Sequence, residues 1–110
     1  MKDPVILIRH ILDAVVRIEQ YTTELTQADF ENNFMVQDAV LRNLILVGEA
    51  AKNIPEEFKQ KFTHIEWKKI VGMRNKVVHE YFIIDIETVW NVIQRDLPLL
   101  KHSFSALLKS

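Results

Sequence analysis

Hydrophobic positions recur along this chain at three- and four-residue steps, the period of helices laid against a core. Val5, Ile8, Ile11, Leu12, Val15 and Ile18 form the first stripe. Arg9, Asp13 and Arg17 step by four on the other side, a row of alternating charge suited to a solvated face. Asp3 before Pro4 supplies an N-cap and a first helical position, so a helix is expected near Val5–Tyr21. Thr26 to Phe30 reads as a short capped turn of helix, with Phe30 and Phe34 expected to pin the connection to the core. Asn32 and Asn33 are turn formers.

A second long helix is expected near Val36–Asn53. Val36, Ala39, Val40, Leu44, Val47, Ala50 and Ala51 give its core stripe, and Leu41, Ile45 and Leu46 widen it. A helix apolar around so much of its circumference is central or buried on two sides, and in a small domain the second side points to an oligomer interface. Gly48 costs about 1 kcal/mol against Ala in a helix interior, a cost that close approach of another helix would offset. Pro55-Glu56-Glu57 starts a short helix carrying Phe58 and Phe62. A third long helix is expected over Ile65–His79, with Trp67, Ile70, Val71, Val77 and Val78 inward and Lys68 and Lys69 solvated. Asp85 then caps a last helix, Ile86–Leu108, which Pro98 should kink or divide. Trp67 and Trp90 read as core anchors rather than base-stacking platforms. Together these elements define an all-α fold, an antiparallel four-helix up-and-down bundle with short helical connectors.

Composition narrows the class. A chain of 110 residues, 48% hydrophobic, is expected to be a single helical domain, residues 1–110, with a real core. No apolar run approaches the roughly 18 residues needed to span a bilayer, so no membrane is expected. The start, Met-Lys-Asp-Pro, lacks the long apolar region of a signal peptide, and the expected location is cytoplasmic. There are no cysteines, which excludes disulfides and thiolate metal sites. Glu56 and Glu57 have no histidine at a ligand spacing, and neither a metal nor a cofactor is expected. Formal net charge is −1, whereas a sequence-blind nucleic-acid binder carries a basic face. Any contact with RNA must therefore run through a local cationic site, a partner or a second subunit.

Candidate chemistry is concentrated in Met73-Arg74-Asn75-Lys76-Val77-Val78-His79-Glu80-Tyr81. The Arg74 guanidinium offers a planar fork of donors for a phosphate. The His79 imidazole can move a proton near neutral pH, its reference pKa being about 6.5. On one continuous helix Arg74 and His79 would lie about 140° apart, whereas Asn75 and His79 would share a face. A long Arg side chain, a helix ending near His79, or a two-fold dimer pooling two such pairs would each bring the groups together. Asp38 and Arg42 are four apart and can pair; their interest is positional, if they face Arg74 and His79.

The segment Trp67 to Phe82 resembles the signature of HEPN domains, and within them the HepT toxin family. That family carries Arg, four residues, His, any residue, Tyr, matched here by Arg74, His79 and Tyr81. Further matches cover most of the chain: Gln37-Asp38-Ala39-Val40, Arg42-Asn43-Leu44, Gly48-Glu49-Ala50-Ala51, Trp67 before Ile70, and Asp96-Leu97-Pro98. Ile45 departs from the pattern, at a position where Glu is expected in relatives.

The resemblance implies a ribonuclease toxin of a toxin–antitoxin pair. Its antitoxin, MntA, is a nucleotidyltransferase that transfers AMP to the motif tyrosine, here Tyr81. RNA carries its own nucleophile, the ribose 2′-hydroxyl, so a base, an acid and a cation suffice to cut it without a metal. Arg74 is the expected phosphate clamp and His79 the acid or base; Asn75 either orients His79 or the phosphate, or is a helix-surface amide bonded to backbone; a homodimer would supply two histidines. A competing reading makes the chain a non-catalytic HEPN partner or nucleotide-binding module of a nucleotidyltransferase, with Arg74 on a nucleotide phosphate.

Overall fold

A computed structural model describes residues 3–79 and 83–109; of Val78, His79 and Ile83 it describes the backbone. Helix α1 spans Pro4–Thr22 and opens as its sequence requires, the Asp3 carboxylate accepting from the Val5 N–H at 2.9 Å. Leu7, Ile8, Ile11, Ala14, Val15 and Ile18 are buried along it. Helix α2, Gln27–Glu31, is closed by a capping box in which Thr26 and Asp29 satisfy each other's backbone N–H groups. Asn33 caps α3, Phe34–Lys52, which begins two residues earlier than the hydrophobic stripe suggests. Phe30 is fully buried, but Phe34 is 74% exposed. Phe34 therefore anchors nothing: it occupies the first turn of α3, outside the stripe led by Gln37 and Val40.

Helix α3 is the central element and packs against α1, α2 and the third helical region. Val40, Leu44, Val47 and Ala51 are fully buried in its stripe, and Leu41 and Leu46 pack against the core partly buried. Two buried amides work inside this apolar frame. Gln37 Nε2 donates to the carbonyls of Phe30 and Glu31 at 2.8 and 3.0 Å, tying α2 to α3. Asn43 Nδ2 donates back to the Ala39 carbonyl at 2.8 Å. Helix α4, Glu56–Lys61, follows Pro55; its Phe58 ring packs at a tilt on that of Phe62, the C-cap residue, with centroids 5.0 Å apart.

The third helical region is not one helix over Ile65–His79. It divides into α5, Trp67–Val71, and α6, Met73–Val77, with Gly72 between them. Gly72, with its low helix propensity, closes α5 by donating its N–H to the Lys68 carbonyl at 3.0 Å. After α6 the β-branched residues take over. Strand β1, Val78–His79, pairs antiparallel with β2, Ile83–Ile84, in the register Val78↔Ile84 and His79↔Ile83. The Asp85 N–H donates to the Val77 carbonyl at 2.8 Å and ties the two arms together.

The last helical run is α7, Ile86–Asn91, a π-helical turn, Val92–Asp96, and α8, Leu97–Lys109. Asp85 caps it through the Thr88 N–H at 3.0 Å. Pro98, expected to kink or divide this run, lies just after the π turn that separates α7 from α8. Lacking an N–H and crowding the preceding turn, it is accommodated by a wider turn just before it. There the Leu97 N–H donates to Val92, five residues back. The tryptophans are core anchors: Trp67 packs on Phe104 and Trp90 on Phe30, each at 5.5 Å between ring centroids.

Candidate functional site

Geometry around Arg74 is set from the core outward. Gly48 on α3 lies so close to the end of α5 that a Cβ there would sit 3.1 Å from the Val71 carbonyl oxygen. The glycine therefore fixes how near α5 approaches α3. Met73 and Val77 bury the inner face of α6, at 2% and 0% exposure. Arg74, Asn75 and Lys76 are consequently exposed. Arg74 Nη1 donates to Asn75 Oδ1 at 3.1 Å. Asn75 thus accepts from the guanidinium.

His79 is on β1 rather than on the helix. The helical angles that would separate Arg74 from His79, and stack Asn75 over it, do not apply beyond Val77. The His79 imidazole and the whole of Tyr81 lie outside the described residues. Asp38 and Arg42 are both exposed on α3, and among the described residues no ion pair joins them.

A cluster of charges that the sequence analysis did not join links α5 and α6 to the last helical run. Lys76 Nζ donates to Asp96 Oδ2 at 2.9 Å. Lys69 Nζ lies 3.7 Å from Asp96 Oδ1 and 3.7 Å from Glu66. Lys69 is exposed, as expected, and also paired. The only sequence signal was the Asp96-Leu97-Pro98 match, which named no partner. Lys69 and Asp96 also line a cleft of about 280 Å³ between α5 and α8, floored by Ile65, Ile70, Met73, Leu100 and Phe104. Arg74 is not among the residues lining it. Among the described residues, no three His, Asp or Glu side chains gather where a metal ion could be held, and no helix is long and apolar enough to cross a membrane.

The class these features define is an all-helical bundle presenting an exposed guanidinium on a short helix beside a two-residue β-ladder. The family model described as "Ribonuclease HepT-like" matches residues 11–107, and the chain belongs to that family. Among curated relatives, the "Probable ribonuclease HepT" of Thermococcus cleftensis is 39% identical over 90% of this chain and 90% of its own length. A Methanocaldococcus jannaschii protein named "Gamma-glutamylcyclotransferase and putative RNase" is 39% identical over 98% of this chain but only 49% of its own length. The chain thus spans about half of that longer relative. A solved structure of the tri-AMPylated Shewanella oneidensis HEPN toxin in complex with MNT antitoxin covers 100% of both chains at a TM-score of 0.72 and 24% identity. That likeness establishes the HEPN fold.

Proposed function

We propose that this chain is a metal-independent endoribonuclease, the toxin half of a toxin–antitoxin pair, and that a partner nucleotidyltransferase silences it by transferring AMP to Tyr81. The observation that carries this reading is the ordered Arg74, His79 and Tyr81 set in a chain of the ribonuclease HepT-like family, with Arg74 exposed and free of any carboxylate among the described residues. The fold likeness to a toxin solved tri-AMPylated with an MNT antitoxin supports the choice of partner and modification.

In this mechanism a His79 imidazole accepts the proton of a ribose 2′-hydroxyl. The oxygen attacks the adjacent phosphorus, and the bond to the 5′-oxygen breaks. A second imidazole protonates that leaving oxygen, so one product ends in a 2′,3′-cyclic phosphate and the other in a 5′-hydroxyl. Arg74 holds the non-bridging oxygens as their charge grows, the work of a preorganised cation. A homodimer with Arg74 and His79 near its two-fold axis supplies both histidines. The exposed Phe34 and Met35 on α3 give a second copy apolar surface to cover. AMP on Tyr81 would bring an anion to the Arg74 side of the site and oppose binding of RNA.

The test is cleavage of a labelled RNA by purified wild type and His79→Ala, with and without excess EDTA. Wild type should cut in chelator and leave a cyclic phosphate, and a 2′-deoxy residue at the cut position should block it. His79→Ala should lose about two to four orders of magnitude in rate. Arg74→Lys should also be poor, since an ammonium lacks the bidentate fork. Equal rates for wild type and His79→Ala would refute the catalytic assignment. Silence of unmodified wild type across varied RNAs would favour the non-catalytic nucleotide-binding module.

A further inference from the structure

The cation of the proposed site stands on a helix that cannot hold itself. Helix α6 has five residues, far below the roughly 12 to 15 at which an isolated helix becomes even marginal in water. Met73 and Val77 seat its inner face, and the Val77 carbonyl is held from Asp85. Both restraints act on the inner face or the C-terminal end of α6, and neither acts on its outer face, where Lys76 stands exposed.

We propose that Asp96 is the positioning residue of this site: its single carboxylate sets the angle between α5 and α6 and, through it, the direction of Arg74. Its two oxygens face different helices. Oδ2 takes Lys76 of α6 at 2.9 Å, and Oδ1 faces Lys69 of α5 at 3.7 Å. The carboxylate is the sheltered member, its side chain 18% exposed against 43% and 48% for the lysines. It therefore acts as the sheltered point to which two more exposed ammonium groups are drawn. Helix α5 is independently fixed to α3 at Gly48, so closing Lys76 onto Asp96 orients α6 relative to the core. Lys76 and Arg74 are two positions apart, about 160° around a helix, so drawing Lys76 to one flank directs Arg74 to the other.

Asp96 is carried to this place by the π turn that Pro98 accompanies, where the Leu97 N–H reaches back five residues to Val92. Such single wide turns recur at functional sites in helices. What Arg74 does once placed rests on the ribonuclease reading; where Asp96 places it does not.

The experiment compares wild type with Asp96→Asn, Lys76→Met, the double variant and Asp96→Glu, all in the full chain. Two readouts are taken: nitrogen-15 NMR of the Arg74 Nε–H and the Met73–Val77 amides, and RNA cleavage scored per folded molecule. Asp96→Asn should move the Arg74 Nε–H and α6 resonances. It should lower kcat about ten- to a hundredfold, the size of effect that a misplacement of about 1 Å can have. KM should stay within about twofold. Lys76→Met should match it, the double variant should fall no further than either single one, and Asp96→Glu should recover most of the rate.

Unmoved Arg74 and α6 resonances in Asp96→Asn overturn the proposal, as does a double variant that loses the product of the two single losses. Wild-type kcat in Asp96→Asn, in a preparation where His79→Ala is dead, overturns the positioning role and leaves the ribonuclease reading standing. Moved resonances with no cleavage even by wild type do the reverse.

Discussion

Gly48→Leu tests the packing that locates the site. The contact to be broken is a backbone one: a Cβ at Gly48 would stand 3.1 Å from the Val71 carbonyl oxygen and 3.7 Å from that of Ile70. For alanine two effects oppose each other. Helix propensity favours Ala by about 1 kcal/mol. Against it, the end of α5 must yield by a few tenths of an ångström. Gly48→Ala should therefore change stability by less than about 1 kcal/mol. Leucine adds three more carbons where the α3–α5 contact is already closed, and overpacking of that kind costs about 1–3 kcal/mol. In a domain this small, each kcal/mol shifts Tm by about 4–8 °C, so Gly48→Leu should melt roughly 5–20 °C lower. Far-UV circular dichroism on heating measures it, at one fixed protein concentration because an oligomer's Tm depends on concentration. Gly48→Leu melting at or above wild type would refute the claim that α3 and α5 meet at this glycine. It would also remove the fixed base from which α6 is oriented.

Gln37→Ala should cost about 1 kcal/mol, since one amide serves the Phe30 and Glu31 carbonyls; chemical denaturation should show a lower midpoint with an unchanged slope. Phe34→Ser with Met35→Ser should shift a sedimenting dimer toward monomer without lowering monomer stability, because both side chains are more than two-thirds exposed, at 74% and 79%. Incubation with the cognate nucleotidyltransferase and ATP should add AMP mass to a peptide containing Tyr81, and the same addition in Tyr81→Phe would place the acceptor elsewhere.

Most of the fold was legible because it is written in periodicity and caps. The stripe from Val5 to Ile18, the Asp3-Pro4 start, the Thr26 turn and the Asp85 cap each specify local structure through nearby atoms. Gly48 was legible too, since a glycine inside an apolar helix needs a neighbour to justify it. Readings that depended on distant partners went wrong or stopped short. Phe34 was assigned inward by its chemistry, but which side of the first turn of α3 faces the core is decided by α2 and Gln37. Lys69 is exposed as its sequence suggests, but its pairing was hidden because Asp96 is 27 positions away in sequence. Pro98 announces a perturbation in the last helix; that a π turn absorbs it depends on how the flanking turns pack.

The break in the third helical region changes how the candidate site must be understood. A continuous helix would have locked Arg74 and His79 about 140° apart and left a dimer or a long side chain to reconcile them. Ending α6 at Val77 releases His79 from that angle. The ladder then imposes a different constraint: Val78↔Ile84 and His79↔Ile83 hold both ends of the connection that contains Tyr81. A modification on Tyr81 is therefore tethered within two residues of His79, on a segment anchored to α6 through the Val77 carbonyl. Proton transfer, phosphate binding and silencing would thus share one short stretch, with Gly72 dividing it from α5 and the Asp96 carboxylate bridging that division. This arrangement makes the position of Arg74 depend on residues far from the motif. Substitutions at Asp96 or Gly48 should accordingly alter cleavage while leaving the Arg74, His79 and Tyr81 set intact.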